Sequence, residues 1–498
     1  MQPSQSTIKT TPTLKRAHFD TTITRGLCHQ RASGSQLAAR GCSAALRIGT
    51  IRAPKVVSRA CCPNYSGTGG SRSSAAAHRV RRKLSKFAAL TPRLGLLRIG
   101  TIRAPMVVSS YALLKRSVLE LSRRALGALL VTSLLLVGTV QAQTRIRVEL
   151  PFPDLPGFVT LRCDFHMHTV FSDGNVWPTI RAEEAWRDGL DAIALTDHIE
   201  YAPHKNEIPV NHARPYEIGR AHGETLGVIV IRAGEITRGE PPGHLNALFL
   251  TNVAAVNEAD PIAAVKVAFE QGGFLFWNHP GWKQPGRKSV WYAEQEQFFT
   301  NGWLRGIEIV NGTEYDAIAH QWCLDKKLTM LGNSDIHDPV GFHYGAKPGE
   351  WRPMTLVFAK ARTPEAIREA LFARRTAVFS RDRLIGEAQF LEPLFQNSIE
   401  IVTPEIRFRG KGRALVQIRN KSPMNFELRF DSTLPGLSVP GKVVLAAGKV
   451  SLVDVRAGAG RASGEQEVTL PCKVENALVT PDEVLSTALR LKVQFDAD

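Results

Sequence analysis

Between Thr160 and Phe379, short apolar runs alternate with stretches whose apolar residues recur every three or four positions. The runs predict strands over Leu161–His166, Ala192–Thr196, Val228–Ala233, Leu245–Leu250, Phe274–Trp277, Gly306–Val310 and Thr329–Gly332. The helical period between them predicts helices over Val176–Arg187, Pro215–Leu226, Pro261–Glu270 and Tyr315–Lys326. Thr363-Pro364-Glu365 opens a further helix to Arg374, with Thr as N-cap and Pro in the first turn. Strand–helix alternation implies parallel strands joined by helical crossovers, an α/β architecture. About seven such strands favour a TIM-like barrel over an open sheet. Past Leu391 the helical period fades. Short β-type runs such as Ala414–Ile418, Asn425–Phe430, Lys442–Leu445, Val450–Val455 and Glu467–Leu470 alternate with Gly- and Pro-containing turns. The pattern therefore predicts a first folded domain over 143–390 and an all-β, sandwich-like domain over 391–498. The second contains no histidine, so its expected role is support or binding rather than metal chemistry.

Charge changes the picture at the amino-terminal end. The 498-residue chain has a formal charge of +17, which would suit a nucleic-acid or membrane binder. Yet 23 of the 63 Lys and Arg, and only 2 of the 46 Asp and Glu, fall in residues 1–142. The remaining 40 basic and 44 acidic residues give the rest a net charge of −4, which argues against a polyanion-binding body. In the basic leader, Leu46–Pro54 recurs as Leu97–Pro105, two copies being too few for a solenoid. Residues 1–105 are expected to be a disordered leader or sequence upstream of a natural start at Met106. Residues 106–142 read as a signal peptide: Lys115, Arg116, Arg123 and Arg124, then apolar Ala125–Val140, then the small-residue site Val140-Gln141-Ala142. That predicts an exported chain, periplasmic or extracellular, with no stable membrane span after cleavage. The three cysteines beyond it, Cys163, Cys323 and Cys472, form no disulfide or zinc-finger pattern, and Cys163 reads as a packing residue.

The chemistry lies at the strand ends. Asp164-Phe165-His166-Met167-His168 is followed by Ser172-Asp173-Gly174, then Thr196-Asp197-His198 ends the second strand. On a strand, His166 and His168 would point to one side. Further on come Gly234-Glu235, Gly243-His244, Asn278-His279-Pro280 and Ser334-Asp335-Ile336-His337. The candidate ligands are His166, His168, Asp173, His198, Glu235, His244, His279, Asp335 and His337. Nine nitrogen and oxygen donors exceed one ion's needs and suit two or three divalent metals sharing carboxylates. The absence of Cys argues against a structural zinc site, and Zn, Mn and Fe all fit the donor set. His204, His212, His222, His320 and His343 belong to no such pattern.

Residues 160–380 resemble the PHP (polymerase and histidinol phosphatase) domain family through these motifs: Asp-Phe-His-Met-His-Thr with Ser-Asp-Gly, Leu-Thr-Asp-His, Gly-Glu, Asn-His-Pro and Ser-Asp-Ile-His. The resemblance implies a distorted (β/α)7 barrel with two or three metals at its carboxyl-end rim. His166, His168, Glu235 and Asp335 would hold one ion. Glu235 would bridge to a second held with His244 and His279, and Asp173, His198 and His337 would hold a third. The signal segment, the Glu235-to-His244 spacing, Arg352-Pro353-Met354-Thr355 and the terminal β region resemble the exported bacterial Sb-type phosphodiesterase branch.

The expected reaction is hydrolysis of a small-molecule phosphodiester by a metal-activated hydroxide, with Asp335, His337 and Glu235 as the catalytic side chains. Arg352, Lys205 and Tyr201 are the leading substrate contacts, with Arg238, Lys283 and Arg287 as further cations. The rival readings are a phosphomonoesterase of the histidinol-phosphatase type, a metal-stabilised binding protein without catalysis, and a nuclease, which the near-neutral body and export signal disfavour. A homodimer is compatible with the sequence, which does not demand one.

Overall fold

A computed structural model of the chain describes residues 119–123, 125–126, 146–345, 349–403, 405–409, 411–430, 437–458 and 463–496. The leader expected over 1–105 lies outside the described residues, as does nearly all of the 106–142 signal segment. No helix among the described residues is long and apolar enough to cross a membrane.

Two parallel blocks form the first lobe. In the first, β1 (Val159–Asp164), α1 (Pro178–Arg187), β2 (Ala192–Leu195), α2 (Arg214–Leu226) and β3 (Ile229–Ile236) place β1, β2 and β3 side by side in parallel. β4 (Leu245–Leu248) then runs antiparallel to β3. After α3 (Pro261–Glu270), β5 (Phe274–Trp277) runs antiparallel to β4 and restores the original direction. The second block follows: α4 (Ala293–Thr300), β6 (Leu304–Asn311), the short return strand β7 (Glu314–Tyr315), α5 (Ala317–Lys326) and β8 (Thr329–Asn333), with β5, β6 and β8 parallel. On the far side of β1 lies β9 (Met354–Ala359), antiparallel to it. α6 (Pro364–Phe372), β10 (Thr376–Ser380) and β11 (Arg383–Gly386) complete the lobe, each strand antiparallel to the one before.

Local sequence explains the helix starts. The Asp260 carboxylate accepts the amides of Ile262 and Ala263 ahead of α3, and Thr363 Oγ1 accepts that of Ala366 at 3.2 Å ahead of α6. β2 and β9 are buried along their whole length, as strands covered on both faces must be.

The sheet is mixed, which corrects the expectation of seven parallel strands. The eight residues between β3 and β4 are too few for a parallel crossover, so β4 turns back. A second departure concerns β8, whose ladder partner among the described residues is β6. It meets β9 and β10 through threonine side chains instead. Thr355 Oγ1 donates to the Gly332 carbonyl and accepts the Gly332 amide, both at 3.0 Å. Thr376 Oγ1 donates to the Met330 carbonyl at 2.8 Å. A Cβ at Gly332 would lie 2.2 Å from Val378 Cγ1, so only glycine permits this approach. Because β10 runs with β1, the carboxyl ends of β1, β2, β3, β5, β6, β8 and β10 share one rim with the amino ends of β4 and β9.

α7 (Ala388–Ser398) crosses position 391, where the sequence places the start of the second domain. Beyond it come β12 (Ile399–Ile401), β13 (Glu405–Phe408), β14 (Arg413–Asn420), β15 (Phe426–Phe430), β16 (Leu437–Ser438), β17 (Lys442–Leu445), β18 (Val450–Ala457), β19 (Gly464–Leu478) and β20 (Val484–Phe495). β12, β14, β18 and β16 form one sheet, while β13, β20, β19, β15 and β17 form the other. Alternating side chains such as Val416, Ile418, Leu428, Val474 and Leu491 fill the core. β19 also pairs in parallel with β11, through Leu384 opposite Ala477 and Ile385 opposite Leu478, so one sheet runs through both lobes. Leu391, Leu394 and Phe395 of α7 pack into a core shared by the two, with Phe395 edge-on to Phe426 at 5.0 Å.

Candidate metal centre

β1 ends at Asp164, so His166 and His168 lie just past the strand rather than on it. They are held there by backbone bonds, His168 N to Ile336 O at 3.0 Å and Thr196 N to Met167 O at 3.0 Å. Asp197 grips the following turn: its carboxylate accepts Thr169 N at 2.7 Å, Thr169 Oγ1 at 2.8 Å and Ser172 Oγ at 2.7 Å. That turn folds back so closely that a Cβ at Gly174 would lie 2.5 Å from the His168 carbonyl, which delivers Asp173 beside His168. Arg181, buried on α1, ties the turn to the segment after β8. Its guanidinium donates to the carbonyls of His168 at 2.9 Å, Ile336 at 3.0 Å, His337 at 2.7 Å and Asp338 at 2.8 Å. His279 and Asp335 have left-handed backbones, φ 31° and 51°, a costly geometry for side-chain-bearing residues that aims both inward.

All nine predicted ligands converge. They form four overlapping groups: His168, Asp173, His198 and His337; His166, His279 and Asp335; His166, His168 and Glu235; and His198, Glu235 and His244. Glu235 is the hub. Its Oε2 lies 3.4 Å from both His166 Nε2 and His168 Nε2 and 3.1 Å from His198 Nδ1, and its Oε1 lies 2.7 Å from His244 Nδ1. Asp335 Oδ1 lies 3.1 Å from His166 Nε2 and 3.0 Å from His168 Nε2. Asp173 faces His198 Nε2 at 3.5 Å and His337 Nε2 at 3.3 Å. This grouping differs from the one the resemblance implied: His279 sides with His166 and Asp335, and His198 is shared between Glu235 and Asp173.

The electrostatics follow from packing anions and imidazoles without water. Burial pulls His166 down, but Asp335, Glu308 and Glu235 outweigh it and hold the ring well above the usual histidine range. His198 behaves likewise, burial being overcome by Glu235 and Asp173 to raise it to about 10. His168 and His279 go the other way, burial pushing each down to about 4. Burial works against the charge of Glu235, Asp335 and Asp173, yet the surrounding imidazoles keep all three below the ordinary carboxylate range. The centre thus balances anionic carboxylates with protons on some rings, and a divalent cation can replace those protons. Buried His166 Nε2, Glu235 Oε2 and His279 Nδ1 meet no neighbour in hydrogen-bonding geometry, as expected of atoms directed at an ion. The donor set and its unsatisfied atoms fit divalent metals.

Several supporting residues escape the sequence patterns. Glu308 in β6, buried beneath the cluster, accepts from His279 N at 3.0 Å, Asn311 Nδ2 at 2.9 Å and Asn333 Nδ2 at 3.0 Å, and binds His166 Nδ1 at 3.1 Å. It fixes which nitrogen of His166 faces the centre. Asn278 donates to Glu235 Oε1 at 3.0 Å and Asn311 to Asp335 Oδ2 at 3.1 Å. Trp282, 46% exposed, has its ring 5.2 Å from that of His244 and 5.1 Å from that of His279, with the Lys283 ammonium 4.1 Å from its centroid.

The predicted substrate contacts fare unevenly. Tyr201, 51% exposed, lies 5.9 Å from the His198 ring and so stands at the mouth. Lys205 is exposed. Arg238 is engaged with Glu200, and Arg287 lines a small cavity beside His279. Arg352 is a correction. It is 1% exposed and its guanidinium binds Asp164 at 3.3 Å and Asp188 at 2.8 Å, so it serves the fold beneath the site. Cys163 is buried and unpaired, as a packing residue should be.

Residues 399–490 match a family model described as an Ig-like domain, DUF5001. No curated protein matches the chain. Among solved structures, a two-domain protein containing a predicted PHP-like metal-dependent phosphoesterase from Bacteroides vulgatus ATCC 8482 shares 41% identity, with a TM-score of 0.65. The match covers 70% of this chain and 99% of that one. A protein assigned as a metal-dependent phosphoesterase from Bifidobacterium adolescentis ATCC 15703 shares 17% identity over 38% of this chain and 89% of that one, at a TM-score of 0.28 too low to bear on the fold. With the first relative matched over nearly its whole length, and the motif residues gathered in one place, the chain belongs to the PHP-like metal-dependent phosphoesterase family.

Proposed function

We propose that the protein hydrolyses phosphodiesters with two or three divalent ions, Zn, Mn or Fe, held by the nine clustered side chains. The observation that carries this reading is the shared use of Glu235: one buried carboxylate reaches four imidazoles, as a bridge between neighbouring cations requires. When bound, the ions supply Lewis-acid stabilisation of phosphoryl oxygens and lower the pKa of coordinated water.

The side chains supply the rest. Glu235 and Asp335 are held ionised by their imidazole neighbours, so they act as ligands and not as proton donors. His337 is 36% exposed on its side chain, and its Nδ1 lies 2.9 Å from the Asp335 carbonyl. Against the pull of burial, Asp173 and Asp335 raise its pKa. If the other ligands held two ions, a protonated His337 would be placed to give its proton to the departing alcohol; a third ion would take the same atom as a ligand. Asn278 and Asn311 fix the two central carboxylates.

In this reading the mixed sheet is a distorted (β/α)7 barrel with its metal centre on the carboxyl-end rim. The apolar segment Ala125–Val140 and its cleavage-type site support export and the Sb-type branch.

The test is metal content and turnover of the full chain on bis-(p-nitrophenyl) phosphate and p-nitrophenyl phosphate, beside an Asp335→Asn, His337→Ala double variant. Two to three ions per chain, with diester turnover that the variant loses, is the expected result. Turnover of the monoester alone would move the assignment to a phosphomonoesterase. Little bound metal after reconstitution would sink the polynuclear reading.

A further inference from the structure

The rim continues past the metal cluster. Gly312 follows Asn311, the residue that touches Asp335, while Tyr344 follows β8, Trp351 precedes β9 and Arg381 follows β10. All of these line one cleft of about 910 Å3, within the size range of small-molecule sites. The opposite wall comes from the Ig-like lobe, through Pro423, Asn425 and Ala447. That wall is fixed to the rim. Asp382 accepts the Asn425 amide at 2.8 Å and its Nδ2 at 2.6 Å. Asn476 Nδ2 donates to the carbonyls of Asp382 at 2.7 Å and Asn425 at 2.8 Å.

The lining has a definite chemistry. Arg381 and Asp382 form the left-handed two-residue turn between β10 and β11, with φ of 49° and 60°. Asp382 is spent on Asn425, whereas exposed Arg381 makes no ion pair among the described residues. Trp351 is half-buried in the lining. Tyr344 adds a second ring. Two aromatic rings with an exposed guanidinium suit a flat ring that carries acceptors.

We propose that this cleft receives the ester group that stays on phosphorus, and that this group bears a planar ring with hydrogen-bond acceptors, of the nucleoside type, held by Trp351, Tyr344 and Arg381. The proposal rests on the phosphoesterase reading of the adjoining cluster. It gives the Ig-like lobe a part in choosing the substrate.

Two readouts separate the cleft from the chemistry. The first is adenosine titrated into the metal-free full chain, followed by saturation-transfer NMR. The second is the ratio of kcat/KM for adenosine 5′-(p-nitrophenyl) phosphate to that for methyl p-nitrophenyl phosphate in the metal-loaded chain. Trp351→Ala and Arg381→Asn are each expected to weaken adenosine binding about tenfold and to lower the ratio about tenfold, the usual cost of losing one ring contact. Asn tolerates a left-handed backbone, so Arg381→Asn keeps the turn even if Trp351→Ala misfolds. Unchanged adenosine binding in both variants overturns the proposal, and so does an equal loss on both esters. Adenosine binding that the variants lose, together with no turnover of either ester by the loaded protein, supports the ring site and sinks the phosphoesterase reading instead.

Discussion

Glu308 and Arg352 are both buried charges, and they do different work. Glu308 holds His166 Nδ1, two asparagine amides and the His279 backbone at once. Glu308→Gln should reduce metal affinity about 10- to 100-fold, as loss of such an outer partner does, measured by calorimetric titration of the metal-free protein. An unchanged affinity would remove Glu308 from that role. Arg352→Met should leave the diester KM unchanged and cost about 3–5 kcal/mol in urea unfolding, because Asp164 would remain buried and unpaired. A KM effect without a stability loss would restore Arg352 to the substrate. The nine ligands were legible in the sequence because they recur in pairs and short motifs at strand ends. Glu308 was not, because a lone acid in Gly306-Ile307-Glu308-Ile309-Val310 looks like any polar position of an alternating strand. Arg352 was misread for a related reason: a cation near a phosphate site has two uses, and only its burial against Asp164 and Asp188 distinguishes them.

The strands and helices themselves were largely visible, since apolar period and caps act locally. Strand direction was not stated by that period, which is the same for both senses. It could have been taken from connection length: eight residues between β3 and β4 cannot make a helical crossover. The meeting of β8 with β9 and β10 was hidden altogether, because it depends on two threonine hydroxyls and a glycine brought together from distant segments. Thr355→Val keeps the shape but leaves the Gly332 amide and carbonyl without their partner. It should destabilise the protein by about 1–3 kcal/mol in chemical denaturation. A smaller change would mean that the seam is held by apolar packing alone.

At the scale of the whole molecule, the change of texture past Leu391 announced a second lobe, and uneven charge separated the basic leader from an acidic body. The joint between the lobes was not legible, because it is built from a parallel pairing of β11 with β19 and from α7 packing into both cores. Calorimetry of the described body should therefore show a single cooperative unfolding transition. Ending the chain after Ser398 should lower its melting temperature and solubility by baring Leu391, Leu394 and Phe395. Two well-separated transitions would show that the lobes are energetically independent.

The shared sheet also has a mechanical meaning. A linker between lobes lets them swing, but here the hydrogen bonds linking Leu384–Ile385 to Ala477–Leu478 resist bending as a splint does. Any opening for substrate must then come from rim loops such as those bearing Tyr201 and Trp282, and small-angle scattering should record the same profile with and without bound ligand.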